Sequence, residues 1–281
     1  MKLPRVRFTV RCLIAAAGLA AASCLAVIWV VRARQEGARS ECRNHLKNVG
    51  LTIVQYSTSR GYFPPGAVPN ETLPAQKRLS WILVSLPYLE GNAPFILDPS
   101  KAWDDEVNRS MWRNDKEPRE PGRLVRERVQ DDFAIFRCPS NPRHTDSAGY
   151  GLTNYVGVAG LGIDAPLLAP LHSRAGVFGY RPGTRNDQIT DGFSTTLALI
   201  ETASANGAWR AGGSSTIRGL DSHVQPYIGR GRQFGGLHRG GVNVAFCDGS
   251  VRFLSETIDP KVFEALATIA GGEALPAEWN Q

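Results

Sequence analysis

The 281-residue chain has no Cys-x-x-Cys pair and no His/Cys cluster at zinc spacing, so no metal site of that kind is expected. It has no P-loop, no Gly-x-Ser-x-Gly and no dinucleotide-binding fingerprint; GVAGLG (Gly157–Gly162) is a lone glycine-rich string. No compact Asp-rich loop supplies the roughly six to eight oxygens of a calcium site. Positive charge is also scarce outside the N-terminus. Residues 1–47 hold nine Lys/Arg and two acids, leaving 23 basic and 24 acidic residues for the rest. The pI near 9.2 therefore belongs to the N-terminus, and nucleic acid is not expected as a partner. With these grounds missing, no catalytic, cofactor-binding or metal residue is assigned, and the chain is read as a non-enzyme without a cofactor.

What is present begins with CLIAAAGLAAASCLAVIWVV (Cys12–Val31), twenty residues without a charge. As a helix at ~1.5 Å per residue it spans ~30 Å, the thickness of a bilayer core. Trp29 lies near one end, where an interfacial aromatic belongs, and basic residues flank both sides. The expectation is a cytoplasmic basic tail (1–11), an uncleaved transmembrane helix (12–31) and the bulk of the chain outside the cytoplasm. A signal peptide has a shorter apolar core. Cleavage at the lipoprotein-like AAASC would leave CLAVIWVV as a strongly apolar new terminus.

Beyond the span, Leu46, Val49, Ile53 and Tyr56 mark one helical face in a helix extension over 32–60, stopped by Gly61 and Pro64-Pro65. Unbroken from about Val10 to Ser59, this helix is roughly 75 Å long; a membrane helix followed by a separate short helix is the alternative. The stretch 61–281 is then one extracytoplasmic domain. LSWILVSLPYLEG (Leu79–Gly91) predicts a buried helix ending near Pro87. Residues 98–132 form a charged insertion, with a short helix over Gly122–Gln130 and Trp103 and Trp112 pinning it to the body. Short β-like runs follow at FAIFRCP, TNYVGVAG, AGVFGY and TTLALIET, then a long loop from Ala203 to Gly236. DPKVFEALAT predicts a closing helix with Asp259 as N-cap and Pro260 at its first position. The class is α+β, a long N-terminal helix leading into a mainly antiparallel sheet.

LHRGGVNVAFCDGSVRFL (Leu237–Leu254) predicts a hairpin. A two-residue turn at Asp248-Gly249 requires positive φ at both positions. It sets Phe246 opposite Val251 and Val244 opposite Phe253, with Val242, Val244, Phe246, Val251 and Phe253 on one core face. His238 precedes the first strand, roughly 30 Å from Asp248 at ~3.3 Å per residue, so the two cannot form a dyad. The polar residues that stand out are Asn154, Asp191, Gly192, Glu201, His238, Asp248 and Gly249. Both Asp-Gly pairs have a sufficient role as turns. Glu201 ends an apolar strand and is expected half-buried, paired with an Arg or with His238. All seven are read as structural.

These residues are similar to a bacterial pilin-like family of unknown function, domain of unknown function 1559. His238, Asp248 and Gly249 match its C-terminal His-x9-Asp-Gly motif. ARSECRNHLKNVGL (Ala38–Leu51), GYFPPG, LPYLE, FRCPSNP, TNYVGVAG, GVFG and ITDGFSTTLALIE (Ile189–Glu201) follow in the family's order. The resemblance covers nearly the whole chain from Ala38. It implies a pilin-like domain and no established activity. It departs at the N-terminus: Phe8-Thr9 stand where a prepilin is cut, but Arg7 replaces the preceding Gly and Cys12 takes the Glu position. A permanently anchored protein fits this better than a processed, assembling one.

Three of the five cysteines lie beyond the span, so one disulfide at most forms there. Cys42 and Cys138 sit in family-matching segments and are the pair expected, with Cys247 as the spare thiol. The expectation is a single-pass inner-membrane protein, mostly periplasmic, with pilin-like or other envelope proteins as partners. Two rivals are a glycan- or ligand-binding module using Trp209, Tyr227 and Phe234, and an enzyme using His238 and Glu201. The anchor reading predicts that the membrane-extracted protein keeps residues 1–31. N-terminal sequencing giving a start at Phe8 or Cys24 contradicts it.

Overall fold

The computed structural model describes residues 10–89, 97–109 and 133–279. Helix α1 (Val10–Arg60) is continuous over 51 residues, about 75 Å at 1.5 Å per residue. No proline lies between Arg5 and Phe63 to break it. Gly37 and Gly50 do not interrupt it, since a helical glycine costs only about 1 kcal/mol. The two halves of α1 have different surroundings. Its apolar window of membrane-crossing length has none of its surface inside the domain. Leu19, Leu25 and Trp29 are exposed, whereas Cys42, Leu46, Val49, Ile53 and Tyr56 are buried. Those five recur every three or four residues, so they form one stripe. Burying Leu46, Val49 and Ile53 stabilises the docking by about 1.5–3 kcal/mol each. Gly61, at φ +79°, ends the helix by donating to the Ser57 carbonyl at 2.8 Å.

Helix α2 (Trp81–Leu89) packs against α1 and keeps Pro87 inside its last turn. Lacking an amide hydrogen, Pro87 leaves the Leu83 carbonyl without its helical donor, so the last turn has one backbone bond fewer. A one-turn helix α3 (Glu106–Arg109) lies within the charged insertion. Trp103 pins this segment: it is buried, donates to the Gln76 carbonyl at 2.9 Å and meets Tyr150 edge-on. Trp112 and the expected helix 122–130 lie outside the described residues.

Five strands follow: β1 (Tyr155–Leu161), β2 (Leu197–Glu201), β3 (Ile217–Leu220), β4 (Gly241–Phe246) and β5 (Val251–Ser255). They form one sheet in the order β3-β1-β2-β4-β5. Three pairings are antiparallel, but β1 and β3 run parallel, so the sheet is mixed rather than wholly antiparallel. Strand β3 lies inside the Ala203–Gly236 stretch read as loop. Four residues, IRGL, flanked by Gly, Ser and Arg leave too short a pattern to read. FAIFRCP is another correction: Ala134–Phe136 is a 3-10 turn, not a strand. Phe133 and Phe136 stack on each other and against Trp209, and that packing overrides β propensity. Glycines of GVAGLG serve close packing. A Cβ at Gly157 would strike the Phe178 ring, and one at Gly160 would strike the Arg174 carbonyl.

Both sheet faces are covered. One carries α1, α2 and the cluster around Trp81, Tyr155 and Phe178. The other carries Val156, Val242, Val244 and Phe246 with helix α4 (Pro260–Leu266) and the 227–234 loop. Asp259 caps α4 by accepting from the Lys261 amide at 2.7 Å.

The β4–β5 turn is one residue longer than expected. The Gly249 amide donates to the Phe246 carbonyl, and the Phe246 amide to the Ser250 carbonyl, both at 2.9 Å. Only Gly249 has positive φ (+76°); Asp248 does not. A three-residue loop with glycine in the left-handed position replaces the two-residue turn. This shifts β5 by one position, pairing Ala245 with Val251, Asn243 with Phe253 and Val242 with Leu254. Val251 thus packs with the α1-side cluster, and Leu254 joins Val242, Val244 and Phe246. Phe253 lies under the Arg39 guanidinium of α1, 3.8 Å from its ring centre. The turn itself docks on α1: Lys47 Nζ donates to the Gly249 carbonyl at 2.7 Å. A Cβ at Gly249 would sit 3.3 Å from Leu51 and 3.4 Å from Val54.

Gly249→Val should therefore lower stability by about 1–3 kcal/mol from backbone strain alone. Phe246→Ala, at a fully buried ring, should cost about 3–5 kcal/mol. Thermal melts of the two variants measure both; a Gly249→Val melt equal to wild type contradicts the docked turn.

Candidate functional site

The site is built where the end of β2 meets the start of β4. Antiparallel pairing of these strands brings Glu201, the last residue of β2, beside Asn243, and the Asn243 amide donates to Glu201 Oε2 at 2.9 Å. Glu201 is completely buried, not half-buried as expected. Its other oxygen, Oε1, makes no hydrogen bond among the described residues and faces His238 Nε2 at 3.5 Å. That is longer than a charge-assisted hydrogen bond, which runs about 2.7–2.9 Å. His238 sits in the tight turn before β4, bridged to Gly241, and its side chain is only 4% exposed.

Cys42 from α1 and Cys138 are disulfide-bonded, with Cα atoms 5.3 Å apart. The Cys138 sulfur lies 3.4 Å from His238 Nε2. One donor atom each from Cys42, Cys138, Glu201 and His238 lie within 4.8 Å of one another. Four distant parts of the chain thus meet in a closed polar cluster.

Asn154 holds it together. Its Oδ1 accepts from the Cys138 amide at 2.9 Å, and its Nδ2 donates to the Thr202 carbonyl at 3.0 Å. Its backbone also binds Phe136 and Thr202. The segments carrying Cys138 and Glu201 are therefore clamped by a single buried amide side chain. Tyr155, opposite Glu201 in the sheet, donates its hydroxyl to the Cys42 carbonyl at 3.2 Å. Burial, then the Glu201 charge, pushes that hydroxyl well above its usual range. Arg218 secures the loop after β2 by donating to Ala205 and Ser214 at 2.8 Å, and burial lowers its guanidinium to about 10.

The other named residues form a second place, at the opposite ends of β2 and β4. Asp191 Oδ2 accepts from the Gly271 amide at 2.7 Å, and Oδ1 from the Gly272 amide at 3.1 Å, so Asp191 anchors the segment after α4. Gly192 takes φ +96° in the turn. Asp248 Oδ1 accepts from the Ser250 amide at 2.8 Å, and its own amide donates to the Phe193 carbonyl at 3.1 Å. The two Asp-Gly turns thus lie side by side and away from His238. Tyr155 and Asn243 look like ordinary strand residues in the sequence, and Arg218 falls in the stretch read as loop, so none of the three stands out there. Asn243 falls on the face that simple alternation leaves to solvent, yet it is fully buried.

An α+β domain on a long, half-exposed N-terminal helix is the class these elements define. Residues 32–261 match the family model described as protein of unknown function (DUF1559), and the chain belongs to that family. Comparison with curated proteins and with solved structures finds no match to either.

The disulfide closes a sequence separation of 96 residues. Its loss, through Cys138→Ala or a reductant in metal-free buffer, should cost about 3–5 kcal/mol, or on the order of 10 °C in Tm. A calorimetric melt of the full chain in detergent measures this. An unchanged Tm contradicts a stabilising crosslink.

Proposed function

We propose that this is a single-pass, inner-membrane envelope protein whose periplasmic, pilin-like domain has a structural or interaction role and no enzymatic one. The observation that carries this reading is helix α1. One uninterrupted helix is exposed and apolar in its first half and is the domain's core element in its second. An anchor continuous with the core holds the domain rigidly close to the bilayer, which suits a fixed envelope component. The basic tail 1–11 favours a cytoplasmic N-terminus. A domain outside the cytoplasm also suits the Cys42–Cys138 bond. The His-x9-Asp-Gly residues His238, Asp248 and Gly249 act structurally in this reading, as do Asn154, Asp191, Gly192 and Glu201. Arg7 and Cys12 at the prepilin positions favour an uncleaved, non-polymerising chain.

The glycan-binding alternative loses its candidate surface. Trp209, Tyr227 and Phe234 are all core residues. The enzyme alternative gains the meeting of His238 with Glu201, but the sulfur beside them is already bonded to Cys42. Burial raises the spare Cys247 thiol well above its usual range, so it is a poor nucleophile. Ile163, Leu167 and Leu171, each about three-quarters exposed, supply apolar surface for a partner outside the anchor.

The full chain should stay in the membrane pellet after an alkaline carbonate wash, and a chain lacking residues 1–31 should not. Protease added outside spheroplasts should degrade the domain. A protected domain, or a full chain in the supernatant, rejects the topology. Crosslinking in intact cells should give a discrete adduct through the domain; its absence rejects the interaction role.

A further inference from the structure

We propose that Cys42, Cys138, His238 and Glu201 form a closed zinc-type metal site when the disulfide is reduced. The inference does not depend on the envelope reading. It starts from Glu201 Oε1, a buried carboxylate oxygen that accepts no hydrogen bond among the described residues and has an imidazole nitrogen 3.5 Å away. A buried carboxylate oxygen of this kind needs a cationic partner. The surrounding donors are two sulfurs, one imidazole and one carboxylate, a set suited to zinc and not to calcium or magnesium.

The spacing fits. Zinc bonds of about 2.3 Å to sulfur and 2.0–2.2 Å to nitrogen and oxygen imply tetrahedral edges of about 3.3–3.8 Å. His238 Nε2 already lies 3.5 Å from Glu201 Oε1 and 3.4 Å from the Cys138 sulfur. The sulfur–sulfur edge must open to about 3.7 Å, and every other edge is already within 4.8 Å. Outer contacts are in place as well. The Asn243 amide orients Glu201 through Oε2, and Asn154 fixes the Cys138 backbone. All four side chains are buried, so the site has no open position for a substrate and would be structural.

The chemistry balances in two steps. A dithiol reductant donates two electrons and two protons to the Cys42–Cys138 bond, giving two thiols and the reductant's disulfide. Zinc then displaces the two thiol protons and binds two thiolates, Nε2 and Oε1. The same four residues thus hold α1 to the domain by a covalent bond in one redox state and by a metal in the other.

The test uses the full chain in detergent with Cys12→Ser, Cys24→Ser and Cys247→Ala, leaving Cys42 and Cys138 as the only thiols. A phosphine reduces the disulfide, water supplying the oxygen of the phosphine oxide and the two protons. Cobalt(II) is added first, then zinc in competition with a chromophoric chelator. The reduced chain should take up one ion and show thiolate-to-cobalt charge transfer; the oxidised chain should do neither. Glu201→Gln and His238→Ala should each weaken reduced-state binding by about tenfold or more. Overturning results are a reduced chain without the charge-transfer band, folded or not, equal uptake by the oxidised chain, or a smaller loss in either variant.

Discussion

Everything in this domain depends on how the lower half of α1 seats on the sheet. The Cys42–Tyr56 stripe is at once the helix's buried face and the roof of one sheet face. Gly50 sets the closeness of approach, since a Cβ there would lie 3.3 Å from Ala245 of β4. Around this contact three unlike links join the helix to the body. Lys47 grips the β4–β5 turn, Arg39 covers Phe253, and Cys42 is bonded to Cys138. Hydrophobic burial supplies most of the energy and is non-directional. The polar and covalent links choose the register, because sliding the helix by one turn, about 5.4 Å, would break all three.

Helical and strand periodicity made much of this legible. The stripe at Leu46, Val49, Ile53 and Tyr56 stands in the sequence because apolar residues every three or four positions have one explanation. The absence of proline across α1 and the Asp259-Pro260 start of α4 are equally local signals. Strand β3 was not legible. Its four residues are held by parallel pairing to β1, a partner some sixty positions earlier in the chain (Gly157 with Ile217), and no local pattern encodes that. FAIFRCP misled for the same reason in reverse: its aromatics are spent on Trp209, not on a ladder.

The hairpin shows a subtler limit. Asp-Gly marks the turn correctly, but two-residue and three-residue turns share that signal. Choosing between them moves every β5 side chain to the opposite face. Tertiary packing decides: the longer turn places Gly249 under Leu51 and Val54 and offers its carbonyl to Lys47. Only the docked helix, not the hairpin's own sequence, distinguishes the registers.

The polar cluster is where sequence reasoning has least purchase and the fold has most to say. Glu201 at the end of TTLALI looks like a strand leaving the core, yet β4 and α1 close over it completely. Nothing local to Cys42, Cys138, Glu201 or His238 announces the others, since they come from a helix, a loop, a strand end and a turn. A buried carboxylate and imidazole are costly unless paired. A fold that nevertheless gathers them around a crosslink, and spends Asn154 on clamping the two segments that carry Cys138 and Glu201, has placed polarity where apolar packing would be more stable. That cost is accounted for if the cluster must answer to a second state of the two sulfurs. It is unaccounted for if the disulfide is only a staple, which needs neither residue.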